Sequence, residues 1–342
     1  MFNLTVNASS GRSEIYIGSS ISNLADLTEG KKIIYLADKT AFESVKDLLP
    51  AGKVVFIPNG ENNKCLATVE KAYQELFNLN VDKSWFAVGV GGGLLSDIAG
   101  FIASTYLRGI PFGFIPTTLL AMVDASVGGK NGVNFSNVKN LIGTTTQPKF
   151  CLCDPVSLKS LPQKEYLAGF SEAIKHGFIK DPSIIDDCNK YKEKLIDKDP
   201  ETLSNFLYKA IAVKKEIVEI DEFEKHERKS LNLGHTVGHA IEVNSNLKHG
   251  EAVSIGIVIE AKFAVNKGLL SKNDLAKVIN SLEIFNLPVK TNIKPEIYWE
   301  ALLHDKKILG ESVSIPLLTK IGGFVIEKIS LDELKKFLFT CS

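Results

Sequence analysis

The chain has 342 residues, 44% hydrophobic and 23% charged, with 40 Lys+Arg against 40 Asp+Glu. That length supports about two domains with separate cores, and a formal net charge of zero gives no electrostatic case for nucleic acid or an anionic membrane as partner. No apolar run approaches a membrane span and no basic-then-apolar leader opens the chain; five cysteines (Cys65, Cys151, Cys153, Cys188, Cys341) without a C-x-x-C pair read as reduced thiols, so a cytoplasmic protein is expected.

Residues 1 to about 17 alternate apolar and polar and predict an opening strand or hairpin. Lys32–Asp38 reads as a short buried strand ending in an acid. Val54–Ile57 reads as a second, followed by the turn Pro58-Asn59-Gly60-Glu61, and Trp85–Val90 as a third, with helical period over Thr68–Leu79. Strands alternating with helices predict a parallel sheet covered by helices. Directly after the third strand stand Gly89, Gly91, Gly92 and Gly93, then a helix carrying Leu94, Leu95, Ser96 and Asp97. A glycine turn between a strand and a helix start lets backbone amides approach a pyrophosphate. The match to G-x-G-x-x-G is imperfect, because Leu94 or Ser96 stands at the last glycine position, and Asp38, the candidate ribose acid, precedes the loop. On this motif alone, a tight structural turn stands level with a dinucleotide loop.

Ile115–Asn134 is dense in hydroxyls and glycines around Thr117, Thr118, Asp124, Ser126 and Lys130, and Lys139 and Asn140 follow. Such connections often hold ligands, the plainer alternative being a surface hairpin. A domain boundary is expected near Pro162. From Gln163 the pattern is helical almost throughout. Lys164–Ile179 puts Glu172 and Lys175 one turn apart on one side, and Asp199-Pro200 reads as the cap and first position of a long amphipathic helix running to Ile220 and bearing Lys214 and Lys215. His249-Gly250-Glu251 opens another helix. His304-Asp305-Lys306-Lys307 precedes a polar loop and a hairpin expected at Ser312–Leu318 with Gly322–Val325. A ligand crevice is expected between the two halves.

The stretch Arg228–Glu242 gathers the most chemistry. Read as one helix, Arg228, Asn232, His235, His239 and Glu242 step by four, three, four and three and share one side. The intervening Leu231, Leu233, Val237, Ala240 and Ile241 are apolar, and Gly234 and Gly238 invite close helix contact, which favours a buried polar stripe over a solvated face. His235 and His239 also stand at the spacing from which two imidazoles reach one cation.

With these residues the chain resembles the 3-dehydroquinate synthase family of sugar-phosphate cyclases. The matching segments are 91–97, 99–109, 115–130, 139–143, 169–175, 231–242 and 249–251, in order within a likeness running from about residue 33 to Gly323. The resemblance implies an α/β fold: a Rossmann-like, parallel-sheet NAD-binding domain (1–162) followed by an all-helical metal- and substrate-binding domain (163–342). It also implies NAD+, one divalent metal ion (Zn2+, or Co2+ in its place) and a homodimer. The implied substrate is 3-deoxy-D-arabino-heptulosonate 7-phosphate, converted to 3-dehydroquinate and phosphate in the shikimate pathway of aromatic amino-acid biosynthesis. Transient oxidation of a ring hydroxyl acidifies the neighbouring C–H, phosphate is eliminated, the hydride is returned, and ring opening and an intramolecular aldol closure follow, so that NAD+ is regenerated each turnover.

The resemblance assigns the metal to Glu172, His235 and His249, with His239 turned to the substrate. It gives the dinucleotide to Asp38, Asn59, Gly60, Glu61, Asn62, Asn63, Lys64, Gly93, Leu94, Leu95, Ser96, Asp97, Thr117, Thr118, Lys130, Lys139, Ser157, Leu158, Lys159 and Ser160. Lys130, Asn140, Lys175, Lys214, Arg228, Asn232, His239 and one of Lys306 or Lys307 are assigned to the substrate's carboxylate, hydroxyls or phosphate. Arg108 is assigned to the phosphate from the neighbouring subunit, and Asp124 to orienting the substrate. Departures from the family pattern are Asn59 for aspartate, Met122 for glutamine and Asn131 for threonine. The rival readings are a polyol dehydrogenase that releases NADH, a sister cyclase using another sugar phosphate, and an NAD-binding regulatory module with a decayed site.

Overall fold

The computed structural model describes residues 1–136, 138–303 and 308–341. The chain divides into two compact units, Met1–Pro162 with Lys198–Glu222, and Gln163–Asp197 with Phe223–Ser342.

The first unit opens with an antiparallel hairpin, β1 (Phe2–Ala8) and β2 (Gly11–Ile17). It continues through α1 (Leu24–Leu27), β3 (Lys32–Ala37), α2 (Lys39–Val45), β4 (Lys53–Phe56), α3 (Leu66–Asn78), β5 (Trp85–Gly91), α4 (Gly93–Thr105), β6 (Phe112–Pro116), β7 (Lys130–Phe135), β8 (Val138–Thr145) and β9 (Phe150–Cys153). The strands form a sheet in the order β1-β2-β9-β6-β5-β3-β4, parallel except for β1. β5 is buried along its whole length, as a central parallel strand covered on both faces must be. Ile33, Tyr35, Phe86, Val88, Val90, Ile115, Phe150 and Leu152 form one core, with the rings of Phe86 and Phe150 stacked 5.5 Å apart. Each such buried side chain contributes about 1.5–3 kcal/mol.

Of the glycine- and hydroxyl-rich stretch Ile115–Asn134, residues 121–125 form a π-helical turn and only the end, from Lys130, enters the hairpin β7–β8, which carries Lys130 and Asn140 on paired strands. Its tight approaches explain the glycines: a Cβ on Gly143 would lie 2.3 Å from the carbonyl oxygen of Asn131, and one on Gly100 of α4 would lie 1.8 Å from Asn131 Oδ1.

The second unit begins with α5 (Gln163–Ala168), α6 (Phe170–Ile179), α7 (Ser183–Lys190) and α8 (Lys192–Ile196). The following α9 (Pro200–Ile220) was expected with the second half but belongs to the first unit. The reason is its apolar stripe: Leu203, Phe206, Leu207, Ala210, Ile211, Ile217 and Val218 are buried, while Glu219 accepts from the amide of Asn7 on β1 at 2.7 Å. The predicted cap is present, with the Asp199 carboxylate accepting from the Thr202 amide at 2.9 Å and Pro200 in the first turn.

The second unit resumes with α10 (His235–Val243), α11 (His249–Asn266), α12 (Lys272–Glu283) and α13 (Pro295–Leu303). It is not wholly helical, since β10 (Ile308–Leu309), β11 (Ser312–Lys320) and β12 (Gly323–Ser330) form an antiparallel sheet before α14 (Leu331–Cys341). The hairpin read at Ser312–Leu318 with Gly322–Val325 is its core. Every residue of α6 is buried, so Glu172, Lys175 and His176 lie inside the unit and need partners there. Among the described residues, no helix is long and apolar enough to cross a membrane.

Candidate active site

In the first unit, strand order reverses between β3 and β5: the chain runs from β3 outward to β4, then returns past β3 to β5. Ligands of open α/β sheets bind beyond the strand carboxyl ends at such a reversal. Asp38 immediately follows β3, and its amide donates to the Val90 carbonyl of β5 at 3.1 Å. The turn Asn59–Lys64 follows β4, whose chain stays tied to β3 through Ile57 N–H and the Ala37 carbonyl at 2.9 Å. Gly92 begins α4 without a capping side chain, and the Thr117 amide donates to the Gly91 carbonyl at 2.8 Å. Asp38, the 59–64 turn, Gly93–Asp97, Thr117 and Thr118 thus share one edge of the sheet. Asp38, which precedes the glycine turn in sequence, lies beside it in space, because β3 and β5 are adjacent. The Asp38 carboxylate also accepts from the Ala41 amide at 2.8 Å, capping α2.

Lys64 is 5% exposed and pairs with Asp97. Burial pushes the Asp97 carboxyl above its usual range, with Lys64 opposing. Asn134 on β7 donates to Glu61 at 2.8 Å and accepts from the Asn140 amide at 2.9 Å, which docks the 59–64 turn on the hairpin. Lys130 and Asn140 are exposed. Ser157, Leu158, Lys159 and Ser160 lie in the turn Pro155–Ser160 after β9, at the same sheet edge. Leu158 is a core residue with no exposure, whereas Lys159 and Ser160 are exposed.

Asp124 sits in a π-helical turn, Ala121–Ala125, a geometry that often marks functional positions. The Thr118 hydroxyl accepts from the Ala121 amide at 3.1 Å, and the Ser126 hydroxyl donates to the Ala121 carbonyl at 2.7 Å. Lys214, 5% exposed on α9, reaches Oδ1 of Asp124 at 2.6 Å. Arg108 lies elsewhere. It follows α4, whose 13 residues span about 20 Å, and lines a cleft of about 620 Å³ with Asp82, Lys83, Ser84 and Leu107 beside the start of β5. Leu107 (φ 52°) and Arg108 (φ 64°) are both left-handed, a strained pairing for side-chain-bearing residues.

In the second unit, Arg228–Glu242 is not one helix. A 3-10 turn covers Glu227–Asn232, Gly234 turns left-handed at φ 80°, and α10 starts at His235. The stepping by three and four is therefore interrupted between Asn232 and His235. The close helix contact invited by the glycines is present: a Cβ on Gly234 would lie 2.7 Å from the Val253 carbonyl oxygen, and one on Gly238 would lie 2.9 Å from that of Ala252, both on α11.

Glu172 has no solvent exposure. Its Oε1 lies 3.4 Å from His235 Nε2 and 3.5 Å from His249 Nε2, while Oε2 contacts the Lys175 ammonium. Lys175, 1% exposed, also donates to the Leu231 carbonyl at 2.7 Å. Burial favours the neutral acid, but Lys175 and His235 outweigh it and hold the Glu172 carboxyl well below the usual range. The far nitrogens of both imidazoles face acceptors: His235 Nδ1 lies 3.1 Å from the Leu233 carbonyl and His249 Nδ1 3.2 Å from Glu242 Oε2. Hydrogen on Nδ1 leaves the Nε2 lone pair of His235 directed at Glu172, while His249 shares its protons between Glu172 and Glu242 and would release the one on Nε2 to a cation. Two imidazole nitrogens and a carboxylate are a donor set that suits a divalent cation. Burial lowers the His235 pKa despite Glu172; at His249 burial is outweighed by Glu172 and Glu242, and the pKa is pushed up to about 9.

The His239 ring stands 5.1 Å from that of His235 and 5.6 Å from that of His249. The ligand nitrogens of the three histidines lie within 4.8 Å of one another, so the H-x-x-x-H pair also converges. Arg228 is buried at 3% exposure, and Asn232 donates to Glu224. Glu224 had no signal in a stretch of mixed charges. Glu242 did, as the last step of the polar stripe. Lys306, or Lys307 in its place, lies outside the described residues.

Residues 54–168 match the sequence model of the 3-dehydroquinate synthase N-terminal domain, and residues 169–308 that of the C-terminal domain. Curated relatives include a 3-dehydroquinate synthase of Saccharolobus solfataricus, 38% identical over 94% of both chains. Another, from Geobacter metallireducens, is 40% identical over 84% of this chain and 80% of its own. Among solved structures, a 2-epi-5-epi-valiolone synthase from Streptomyces hygroscopicus subsp. jinggangensis, with NAD+ and Zn2+ bound, aligns with a TM-score of 0.85 at 26% identity, over 98% of this chain and 97% of that one.

Proposed function

The chain belongs to the 3-dehydroquinate synthase family, and we propose from that membership that it converts 3-deoxy-D-arabino-heptulosonate 7-phosphate to 3-dehydroquinate and phosphate. It is a carbon–oxygen lyase of aromatic amino-acid biosynthesis, working with NAD+ and one divalent metal ion, Zn2+ or Co2+, as a cytoplasmic homodimer. The observation that carries this reading is Glu172: a fully buried carboxylate faced by Nε2 of two histidines. That donor set suits a catalytic metal with positions left for substrate.

Glu172, His235 and His249 would hold the metal. Asp38, the 59–64 turn, Gly93–Asp97, Thr117, Thr118, Lys130, Lys139 and the 157–160 turn would hold the dinucleotide, the sheet reversal between β3 and β5 supporting that assignment. When bound, NAD+ supplies a hydride acceptor that is restored within the turnover, and the metal supplies Lewis acidity towards the substrate hydroxyls.

The chain's own contribution is positioning and charge. Two of the three donor sites of Lys175 are taken, by Glu172 and the Leu231 carbonyl, which fixes the third for a substrate oxygen. Arg228 and Asn232 bind the carboxylate, and Lys130, Asn140, Lys214 and His239 the hydroxyls or phosphate. Asp124, steadied by Lys214, orients the substrate. The length of α4 supports Arg108 acting on the phosphate of a neighbouring subunit, since about 20 Å of helix separates it from Gly93 in its own chain.

The reading is tested by measuring phosphate release from the heptulosonate phosphate with Zn2+ and a trace of NAD+. Many phosphates per NAD+ with no standing NADH are expected. NADH accumulating in proportion to substrate would make the protein a dehydrogenase. Turnover restricted to another sugar phosphate would make it a sister cyclase, a reading that the 38–40% identity to the 3-dehydroquinate synthases, against 26% to the valiolone synthase, speaks against.

A further inference from the structure

The peptide group joining Leu233 to Gly234 is engaged at both ends. Its N–H donates to Glu260 Oε2 at 2.6 Å, and its carbonyl oxygen faces His235 Nδ1 at 3.1 Å. A carbonyl can only accept, so His235 carries its hydrogen on Nδ1. Glu260 is 1% exposed, on a helix whose neighbouring Ile257, Val258 and Ala261 are core residues. A carboxylate is seldom buried that deeply without a partner that needs it, and here one partner is the backbone directly before His235.

The peptide cannot easily turn away. Gly234 is left-handed at φ 80°, and a Cβ there would lie 2.5 Å from Ile257 Cγ1. From the other side, a Cβ on Gly256 would lie 1.9 Å from the Gly234 carbonyl oxygen. The two helices are therefore in backbone contact one turn before Glu260.

We propose that Glu260 is a positioning residue for His235. Acting through the Leu233–Gly234 peptide, its carboxylate fixes the Nδ1–H tautomer and the ring orientation and makes Nε2 a stronger donor to a divalent cation. Hydrogen bonds in series polarise one another in a low-dielectric interior, and metal-binding histidines depend on what their second nitrogen meets. His249 has the direct version, with Glu242 on its Nδ1 at 3.2 Å; His235 has the same charge one peptide removed. The inference rests on the proposed metal reading.

The test titrates Co2+ into the metal-stripped full chain, following the visible d–d absorption and competition with a chelating dye. Glu260→Ala should weaken Co2+ binding about 10- to 100-fold, the range for losing a histidine's supporting partner, and alter the absorption. Glu260→Gln keeps an oxygen that can accept from Gly234 but loses the charge, and should fall between Glu260→Ala and the unaltered protein. Ser254→Ala controls for general loosening of α11, because its buried hydroxyl donates to the Pro288 carbonyl at 2.8 Å; it should lower the melting temperature and leave Co2+ affinity within about twofold. If Glu260→Ala does not fold, Glu260→Gln decides. Unchanged affinity and absorption in the Glu260 variants, or an equal loss in Ser254→Ala, overturn the proposal. His235→Ala separates the two levels: full Co2+ binding without that imidazole would overturn the metal reading itself, whereas its loss beside unaltered Glu260 variants sinks only the relay.

Discussion

Lys214 grips Asp124 twice, at 2.5 Å on the backbone carbonyl and 2.6 Å on Oδ1. The contact ties α9, 90 residues further along the chain, to a π-helical turn. Lys214→Met keeps most of the apolar stem and removes the charge. The expected result is a fall in kcat/KM of about 100-fold or more, the usual loss for a donor aimed at developing charge, with NAD+ affinity within about threefold. Steady-state kinetics and NAD+ titration check it. A variant that retains kcat/KM would leave Lys214 as a strut for the turn.

Glu172 and Lys175 stand one helical turn apart with 0% and 1% side-chain exposure. Removing one partner of a buried pair strands the other charge, at about 3–5 kcal/mol. Glu172→Gln should therefore lose both stability in urea and metal affinity. Glu172→Gln combined with Lys175→Met should regain much of the stability, because no buried charge is left alone, yet still fail to bind metal. A double variant that binds Zn2+ with the parent affinity would remove Glu172 from the ligand set.

The sequence made this first unit more legible than the second, for physical reasons. Buried parallel strands such as Trp85–Gly91 are short continuous apolar runs, and Asp199-Pro200 is a local signal that needs no tertiary contact. Glu172 with Lys175 was readable because three residues apart is a helix neighbour. The single-helix reading of Arg228–Glu242 failed because Gly234 bends the backbone left-handed, and nothing in the spacing distinguishes a helical glycine from one that ends a turn. Membership of α9 in the first unit was hidden for a related reason: an amphipathic helix shows that it has a partner, not which one. Asp38 and Gly93, 55 residues apart, met at one sheet edge only once β3 and β5 were known to pair.

Glu222 closes α9 onto the β1–β2 turn, accepting from the Ser9 hydroxyl at 2.5 Å, the Ser10 amide at 3.1 Å and Gln147 at 2.9 Å. Burial acts to raise its pKa, but these donors, with the Ser10 hydroxyl foremost, outweigh it and bring the group down to about 2. A carboxyl with a depressed folded pKa stabilises above its unfolded value, about 4.3, and loses that contribution as pH falls through 4 towards 2. The shift corresponds to about 3 kcal/mol. In urea unfolding, Glu222→Gln should be less stable than the parent by up to that amount at pH 7, with the gap narrowing between pH 4 and 2. A gap independent of pH would mean that packing, and not charge, is what Glu222 contributes.

Arg108 and Glu172 offer a test of which subunit each serves. Two consecutive left-handed residues, Leu107 and Arg108, hold the arginine at an exposed corner beside the start of β5. Strain of that kind persists only where the surroundings impose it, and an arginine displayed outward is what a neighbouring protomer could use. In the proposed homodimer, Arg108→Ala and Glu172→Gln proteins should each be nearly inactive. Co-expressed and purified through two different tags, the mixed dimer should carry one complete site, with metal ligands from the Arg108→Ala protomer and the arginine from its partner. The two-tag-purified mixed dimer should therefore recover roughly half of the parent's activity, and the unselected random 1:1 mixture, half of whose dimers are mixed, roughly a quarter. If Arg108 acts within its own chain, neither protomer of the mixed dimer is complete and no activity returns.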